Sequence, residues 1–276
     1  MKIFNIAILL GYMALLLSNQ IAAQSAIDYG SNDGQYIEIK STNIYYEEYG
    51  EGTPTLLIHG GLGNISNFKM VIPELSKHFK LLAIDGPSHG RSQSVDSLSY
   101  NILAAHFVAL LEKLNLNKVN VIGYSDGAIV GMLMAHMAPD KIDKLVFGAG
   151  ALNPRASTPE GLQMLQSISP EILPEDFATS YKEKSPNPQD WTKFVYASKK
   201  MWLNEVWIPE EILPTIDCKV LVLFGDRDQF IPLSHALEIY RELPNSELCV
   251  LPNVYHDIYS NPEKTNPILI KFLTEN

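Results

Sequence analysis

The chain has 276 residues and a formal net charge of −10, from 31 acidic and 21 basic side chains. This length suffices for one large domain with a substantial core. The acidic balance makes nucleic acid and anionic membrane surfaces poor partners, so we expect a small-molecule substrate instead.

The first 23 residues have the pattern of a secretory signal peptide. Lys2 precedes a mostly apolar run from Ile3 to Leu17, and small residues close the segment at Ala23. The run is shorter than the roughly 20 residues that span a bilayer. We therefore expect cleavage after Ala23, no stable membrane insertion of the mature chain, and a periplasmic or secreted location, with an uncleaved anchor as the alternative.

The remaining chain alternates strand and helix patterns. Apolar, β-branched or alternating runs predict strands at 36–40, 44–49, 54–58, 80–84, 119–122, 142–148, 218–224 and 247–251. Helical spacing predicts helices at 65–79, 99–116, 128–139, 159–168, 191–203, 233–243 and 262–273. Strands that alternate with helices need right-handed crossovers. The sequence therefore predicts an α/β fold, with a mostly parallel eight-stranded sheet and helices on both faces.

The alternation stops between residues 151 and 216, before the seventh strand. This segment holds all three tryptophans and eight prolines, and it is too apolar for a linker. Insertions at this edge of a parallel sheet lie above the strand ends where ligands bind. We expect a helical lid at 151–216, inserted between strands 6 and 7, and a core domain at 24–150 and 217–276; an insertion that only adds core is the alternative.

A strand, a sharp turn and a helix meet at Gly123-Tyr124-Ser125-Asp126-Gly127. The pattern G-x-S-x-G in this context is typical of a nucleophile elbow, in which the two glycines leave room for the adjoining backbone. The first amides of the helix would then face the reacting carbon, at the positive end of the helix dipole. Taken alone, the motif also fits an ordinary glycine-flanked turn.

Three polar side chains follow apolar strands in the order serine, aspartate, histidine. Ser125 follows one strand, Asp226 or Asp228 another, and His256 the last. A serine hydroxyl needs a base to take its proton and a third group to orient that base. Since the carboxyl ends of parallel strands emerge at one edge of the sheet, we expect these groups to lie within hydrogen-bonding reach.

The segments HGGLGN, DGPSHGRS, GYSDGA and GDRDQFIP, together with His256, resemble the α/β-hydrolase superfamily. The resemblance is to its lidded group of proline iminopeptidases, valacyclovir-hydrolase-like esterases and meta-cleavage or lactone hydrolases, and it runs from about Tyr36 to the C-terminus. It implies Ser125 as the nucleophile, His256 as the base and Asp228, rather than Asp226, as the acid.

The same resemblance implies an oxyanion hole formed by the backbone N–H groups of Gly61 and Asp126. The Asp126 side chain leaves two alternatives open: it recognises a substrate ammonium group, or it caps its helix with favourable charge–dipole alignment. The histidine-containing turns at His59 and His89 resemble structural motifs. The remaining histidines lack ligand-like spacing, so we expect no metal and no cofactor.

These features predict an exported serine hydrolase that cleaves a small ester, or an amide or lactone, through an acyl-enzyme. A carbon–carbon bond hydrolase or a cofactor-free perhydrolase would use the same residues. A non-catalytic binding protein of this fold is a further alternative. Haloalkane dehalogenases and epoxide hydrolases are disfavoured, because those relatives carry an aspartate at the elbow position that Ser125 occupies. The oligomeric state stays open.

Overall fold

The computed structural model describes residues 34–203 and 206–275, so the expected signal peptide at 1–23 lies outside the described residues. The eight predicted strands are present as β1 Gln35–Ile39, β2 Thr42–Tyr49, β3 Thr53–Ile58, β4 Phe79–Ile84, β5 Val119–Tyr124, β6 Ile142–Gly148, β7 Lys219–Gly225 and β8 Ser246–Leu251. They form one sheet in the order β1-β2-β4-β3-β5-β6-β7-β8. β1 and β2 pair with each other, and β2 pairs with β4, in antiparallel fashion, whereas the other pairs are parallel. The predicted fold is confirmed.

The helices of the described residues are α1 Ile72–Leu75, α2 Tyr100–Lys113, α3 Asp126–Met137, α4 Pro159–Ser167, α5 Glu175–Lys184, α6 Trp191–Trp202, α7 Leu233–Glu242 and α8 Pro262–Thr274. The single helix expected at 65–79 is wrong, because two short pieces occupy that range: a 3₁₀ turn at Ile65–Phe68 and the single turn α1. Pro73 has no N–H to donate to a preceding turn, so it begins a new helix instead of continuing one.

Alternate side chains of the central strands pack into two separate cores, one on each face of the sheet. Along β3, Leu56 and Ile58 join the core beneath α2, α3 and α7. Leu57 points the other way, into the core beneath α1 and α8. All three side chains are at most 2% exposed. Strands buried on both faces explain why the sequence shows continuous apolar runs instead of alternation.

The carboxyl ends of β3, β5, β7 and β8 emerge at one edge of the sheet, and each continues into a turn that holds a predicted site residue. Helices α4, α5 and α6 lie in the insertion between β6 and β7, which we call the lid segment (151–216). The two ends of this segment are joined at Leu152, whose carbonyl oxygen accepts hydrogen bonds from the amides of Trp207 and Ile208 at 3.0 and 2.9 Å.

Two further features of the described residues concern the cysteines and the length of the helices. Cys218 and Cys249 are free thiols, and each is partly buried. Within 34–203 and 206–275, every helix is too short or too polar to cross a lipid bilayer.

Candidate active site

Ser125 lies at the turn between β5 and α3, with φ 53° and ψ −113°. This backbone conformation is rare for a residue with a Cβ atom and lifts the side chain clear of the sheet. The turn is tight: a Cβ atom at Gly127 would lie 2.0 Å from the Ile58 carbonyl oxygen, and one at Gly123 would lie 2.4 Å from the Gly127 carbonyl oxygen. The two glycines of the motif are therefore required by close backbone contact.

A continuous chain of hydrogen bonds joins the three predicted catalytic side chains. His256 Nε2 lies 3.1 Å from Ser125 Oγ, and His256 Nδ1 lies 2.8 Å from Asp228 Oδ2. The second carboxylate oxygen of Asp228 accepts the backbone N–H groups of Phe230 and Ile231 at 2.9 and 3.0 Å. With Nδ1–H donating to the carboxylate, Nε2 is left to accept the serine proton. The structure thus brings Ser125, His256 and Asp228 together.

Asp226, the other aspartate that the strand order allowed, has different partners. Its Oδ1 accepts the backbone N–H of Val254 at 3.3 Å and lies 4.0 Å from Nε of Arg227. The hydrogen bond from Val254 joins the turn after β7 to the turn after β8. Asp226 therefore supports the segment that carries His256 instead of touching its ring.

The two histidines of the glycine-rich turns bind backbone groups. His59 Nδ1 donates to the Gly60 carbonyl oxygen at 2.8 Å, and its Nε2 accepts the Gly86 N–H at 3.0 Å. His89 Nδ1 donates to the Pro87 carbonyl oxygen at 2.9 Å. Burial lowers the pKa of His59 to about 4 and that of His89 to about 3, so both rings are neutral near pH 7. Their hydrogen bonds hold the turns, as the sequence motifs indicated.

The two residues predicted to form the oxyanion hole lie next to each other. Asp126 is the first residue of α3, where backbone N–H groups have no partner inside the helix. Gly61 follows β3 and packs so closely that a Cβ atom there would lie 2.5 Å from Asp126 Oδ2 and 2.5 Å from Cζ2 of Trp202. A side chain at position 61 would therefore displace both neighbours.

The Asp126 carboxylate has partners that neither sequence-based alternative included. Its Oδ1 accepts the hydroxyl of Tyr100, on α2, at 2.9 Å, and its Oδ2 accepts the indole N–H of Trp202, on α6, at 2.7 Å. Asp126 is 9% exposed, and burial raises its pKa to about 6. For Trp202 the sequence indicated only that a buried indole N–H needs an acceptor. No local sequence pattern identified Asp126 as that acceptor.

Comparison with known proteins agrees with this architecture. A family model described as alpha/beta hydrolase fold matches residues 53–182. The chain has the alpha/beta-hydrolase fold. An esterase from Exiguobacterium antarcticum superposes with a TM-score of 0.74 at 20% identity, covering 88% of this chain and 100% of that one.

Curated relatives of the chain carry several names. A putative non-heme chloroperoxidase from a Synechocystis strain is 28% identical over 84% of this chain and 95% of the relative. A 2-hydroxy-6-oxo-2,4-heptadienoate hydrolase from Pseudomonas putida is 24% identical over 78% of this chain and 86% of the relative. The curated relatives thus include a protein named as a putative peroxidase and one named as a hydrolase.

The predicted catalytic side chains open into a cavity of about 380 Å³ beneath the lid segment. Apolar side chains of the lid segment line it, among them Met164, Leu165, Ile168, Leu173, Phe177 and Trp202. Two of the lining residues, Asp126 and Asp257, are acidic, and within the described part of the chain no lysine or arginine lines the cavity. The cavity therefore offers apolar surface and negative charge to a ligand.

A second cavity of about 430 Å³ lies at the base of the lid segment and is polar, with Arg155, Glu210, His235 and Glu238 among its lining residues. Ser125 and His256 do not line it. Among the described residues, no group of three or more histidine, cysteine or acidic side chains is arranged to hold a metal ion. Ser125 and His256 therefore line the first cavity and not the second.

Proposed function

We propose that this alpha/beta hydrolase cleaves small, uncharged carboxylic esters through an acyl-enzyme. The observation that carries the proposal is the hydrogen-bond chain from Asp228 through His256 to Ser125, which ends in an apolar cavity. An alcohol is a weak nucleophile near neutral pH, and an imidazole within hydrogen-bonding distance removes this limit. The carboxylate at Nδ1 orients the ring and stabilises the imidazolium that forms.

In the proposed reaction, Ser125 Oγ attacks the ester carbonyl carbon while its proton passes to His256 Nε2. The carbonyl oxygen becomes negative and faces the backbone N–H groups of Gly61 and Asp126. Collapse of this intermediate breaks the bond to the alcohol, which takes the proton from His256. A water molecule, deprotonated by the same ring, then attacks the acyl-enzyme and releases the acid.

The charge of the cavity supports neutral substrates. A carboxylate buried in an apolar site needs a positive partner or several donors, and without them its transfer from water is unfavourable. The cavity lining contains Asp126 and Asp257 and no basic residue from the described part of the chain. Neutral esters and lactones meet no such penalty.

The nucleophile is tested by replacing Ser125. We expect Ser125→Ala to lower kcat toward short p-nitrophenyl esters by about 10⁴-fold or more, since the acyl-enzyme cannot form. The matched control is Ser167→Ala, at an exposed serine of α4, which should keep the rate of the parent chain. A Ser125→Ala variant with an unchanged rate would remove the proposal.

Hydrolysis of a carbon–carbon bond is the second candidate, because one relative is named as a dienoate hydrolase. That substrate is a carboxylate. We expect kcat/KM for a neutral ester of similar size to exceed that for a 2-hydroxy-6-oxo-dienoate by at least about tenfold, which corresponds to about 1.4 kcal/mol of unpaired charge. The reverse order would favour the carbon–carbon bond hydrolase.

Two further alternatives are a perhydrolase and a non-catalytic binding protein of this fold. A perhydrolase would let hydrogen peroxide replace water at the acyl-enzyme, so peracid formation in added peroxide measures this activity. A binding protein of this fold would not form the acyl-enzyme at all. We expect a fluorophosphonate probe to label the parent chain and to leave Ser125→Ala unlabelled, which a non-catalytic binder would not do.

We also propose that the chain is exported and acts on a small molecule outside the cytoplasm. The proposal rests on the charge and hydropathy pattern of residues 1–23. Expression of the full chain in a secreting host followed by intact-mass analysis should give a product that begins at Gln24. A product that retains residues 1–23 would contradict export with cleavage.

A further inference from the structure

The lid segment touches the predicted oxyanion hole through one side chain. Trp202, the last residue of α6, donates its indole N–H to Asp126 Oδ2 at 2.7 Å. The same ring lies against Gly61, where a Cβ atom would come within 2.5 Å of Cζ2. The indole therefore contacts both residues whose backbone N–H groups face the reacting oxygen.

The position of Trp202 is itself fixed from behind. Its backbone carbonyl oxygen accepts the indole N–H of Trp207 at 3.1 Å. Trp207 packs on the ring of Tyr100, with centroids 5.7 Å apart, and Tyr100 donates its hydroxyl to Asp126 Oδ1. These contacts close a ring of four residues, Tyr100, Asp126, Trp202 and Trp207, that spans α2, α3 and the lid segment.

A buried carboxylate is stable only with donors around it. Asp126 obtains them from Tyr100, from Trp202 and from the positive end of α3. If α6 moved away, the carboxylate would lose a charge-assisted hydrogen bond and turn toward another donor. The indole also packs against both Gly61 and the Asp126 carboxylate, so its departure would remove the contact that holds the Gly61 turn against the first turn of α3.

We propose that Trp202 is a positioning residue: its hydrogen bond to Asp126 holds the oxyanion hole in its active arrangement while the lid segment is docked. The inference rests on the proposed esterase function and extends it by giving the lid segment control over turnover. It also assigns the Asp126 carboxylate to the protein instead of to a substrate ammonium group.

The first test is Trp202→Phe, which keeps an aromatic ring and removes the N–H donor. We expect kcat toward a neutral ester to fall by about 10- to 100-fold, as for loss of a group that orients a catalytic one, with KM changed by less than about threefold. The matched control is Trp191→Phe, at the other end of the same helix and equally buried at 6% exposure. It should leave kcat unchanged.

A double-mutant cycle separates positioning from general damage. If Trp202 acts through Asp126, adding Trp202→Phe to Asp126→Asn should lower kcat by less than about twofold more. Additive losses would overturn the inference. So would an Asp126→Asn variant that loses activity on amino-acid esters alone, because the carboxylate would then serve the substrate ammonium group.

A spectroscopic readout follows the hydrogen bond in the parent chain itself. The indole N–H resonance of Trp202 is assigned as the signal that disappears in Trp202→Phe. If Trp202→Phe does not fold, the signal is identified by its change in Tyr100→Phe, which alters the other partner of the Asp126 carboxylate. The resonance should shift with pH through a midpoint near 6, following Asp126. The shift should vanish in Asp126→Asn. An indole resonance that is the same in the parent chain and in Asp126→Asn would contradict the inference, because the N–H would then not be bonded to that carboxylate. Failure of the parent chain to hydrolyse any ester would instead remove the proposed function and leave this measurement interpretable.

Discussion

The nucleophile occupies a backbone conformation that its own side chain disfavours. Ser125 has φ 53° and ψ −113°, and residues held in such sparsely populated regions cost of order 1–3 kcal/mol each. The surrounding turn imposes this conformation, since the Ser125 N–H donates to the Gly148 carbonyl oxygen at 2.8 Å. Stability is thus lost at the position where the proposed chemistry occurs.

This strain predicts a difference in stability between two variants that both lack activity. We expect Ser125→Gly to be more stable than Ser125→Ala by about 1 kcal/mol, because glycine adopts the conformation without a Cβ clash and loses only part of that gain to its more flexible unfolded state. Neither variant should hydrolyse esters. Urea unfolding of both variants measures the difference, and a less stable glycine variant would show that the turn stores no strain.

The candidate catalytic residues could be predicted because each follows a strand whose apolar run is visible in the sequence. Strand order and the rule that parallel strands end at one edge gave Ser125, His256 and a choice of two aspartates, and the resemblance to the α/β-hydrolase superfamily selected Asp228. The hydrogen bond between Trp202 and Asp126 joins residues 76 positions apart. It depends on how α6 packs over the sheet, and no local pattern encodes that packing.

At the scale of elements, the strands were easier to predict than the helices. Strands buried on both faces carry continuous apolar runs. Helix α5, Glu175–Lys184, was not predicted, because it is largely polar and Tyr181 is its one buried residue. A helix that exposes most of its surface lacks the apolar stripe on which sequence patterns depend.

The lid segment is fastened to the core through a histidine. His235, on α7, is 5% exposed, and its Nε2 accepts the Leu152 N–H at 3.1 Å. Its Nδ1 lies 2.8 Å from Glu238 Oε2, so a hydrogen bond on the opposite side of the ring fixes its orientation. Since Leu152 also binds the far end of the lid segment, one contact holds both ends.

We therefore expect His235→Leu to loosen the lid segment selectively. The Leu152 N–H would lose its acceptor, which costs about 1–3 kcal/mol for a buried donor. Hydrogen exchange should become faster across the lid segment and stay unchanged in β3 to β6. The matched control is His106→Leu, at a buried histidine that binds the Ile102 carbonyl oxygen of its own helix. Equal lid protection in the two variants would exclude the fastening role.

At the scale of the whole molecule, buried titratable groups oppose one another as the pH falls. Burial lowers the pKa of His59 to about 4 and of His89 to about 3, and it also lowers that of His235. Burial raises the pKa of Asp85 and of Asp126 to about 6. The histidines stabilise the fold fully above their unfolded pKa of about 6.5 and lose that contribution toward their folded values. The two carboxyl groups do the reverse, and stabilise the fold increasingly as the pH falls from 6 to about 4.

The balance predicts acid destabilisation that continues after the carboxyl groups have titrated. Between pH 6 and 4, protonation of the three histidines lowers the free energy of unfolding, while protonation of the two carboxyl groups raises it. Below pH 4 the carboxyl contribution to this free energy no longer grows. His89 alone should lose about 2–3 kcal/mol of unfolding free energy by pH 4.5, two pH units below its unfolded pKa.

Urea unfolding at pH 7, 5.5, 4.5 and about 3.5 measures this loss and shows whether it continues below pH 4. His89→Asn, which keeps a side-chain donor for the Pro87 carbonyl oxygen, should lower stability at pH 7 through lost packing against Phe194. It should also reduce the further loss between pH 7 and 4.5, because one buried ring no longer has to take up a proton. His136→Asn, at an exposed histidine that contacts the Thr215 hydroxyl, is the matched control and should keep the acid sensitivity of the parent chain. If the His89 variant kept the full acid sensitivity of the parent, the buried histidine rings would not be its source.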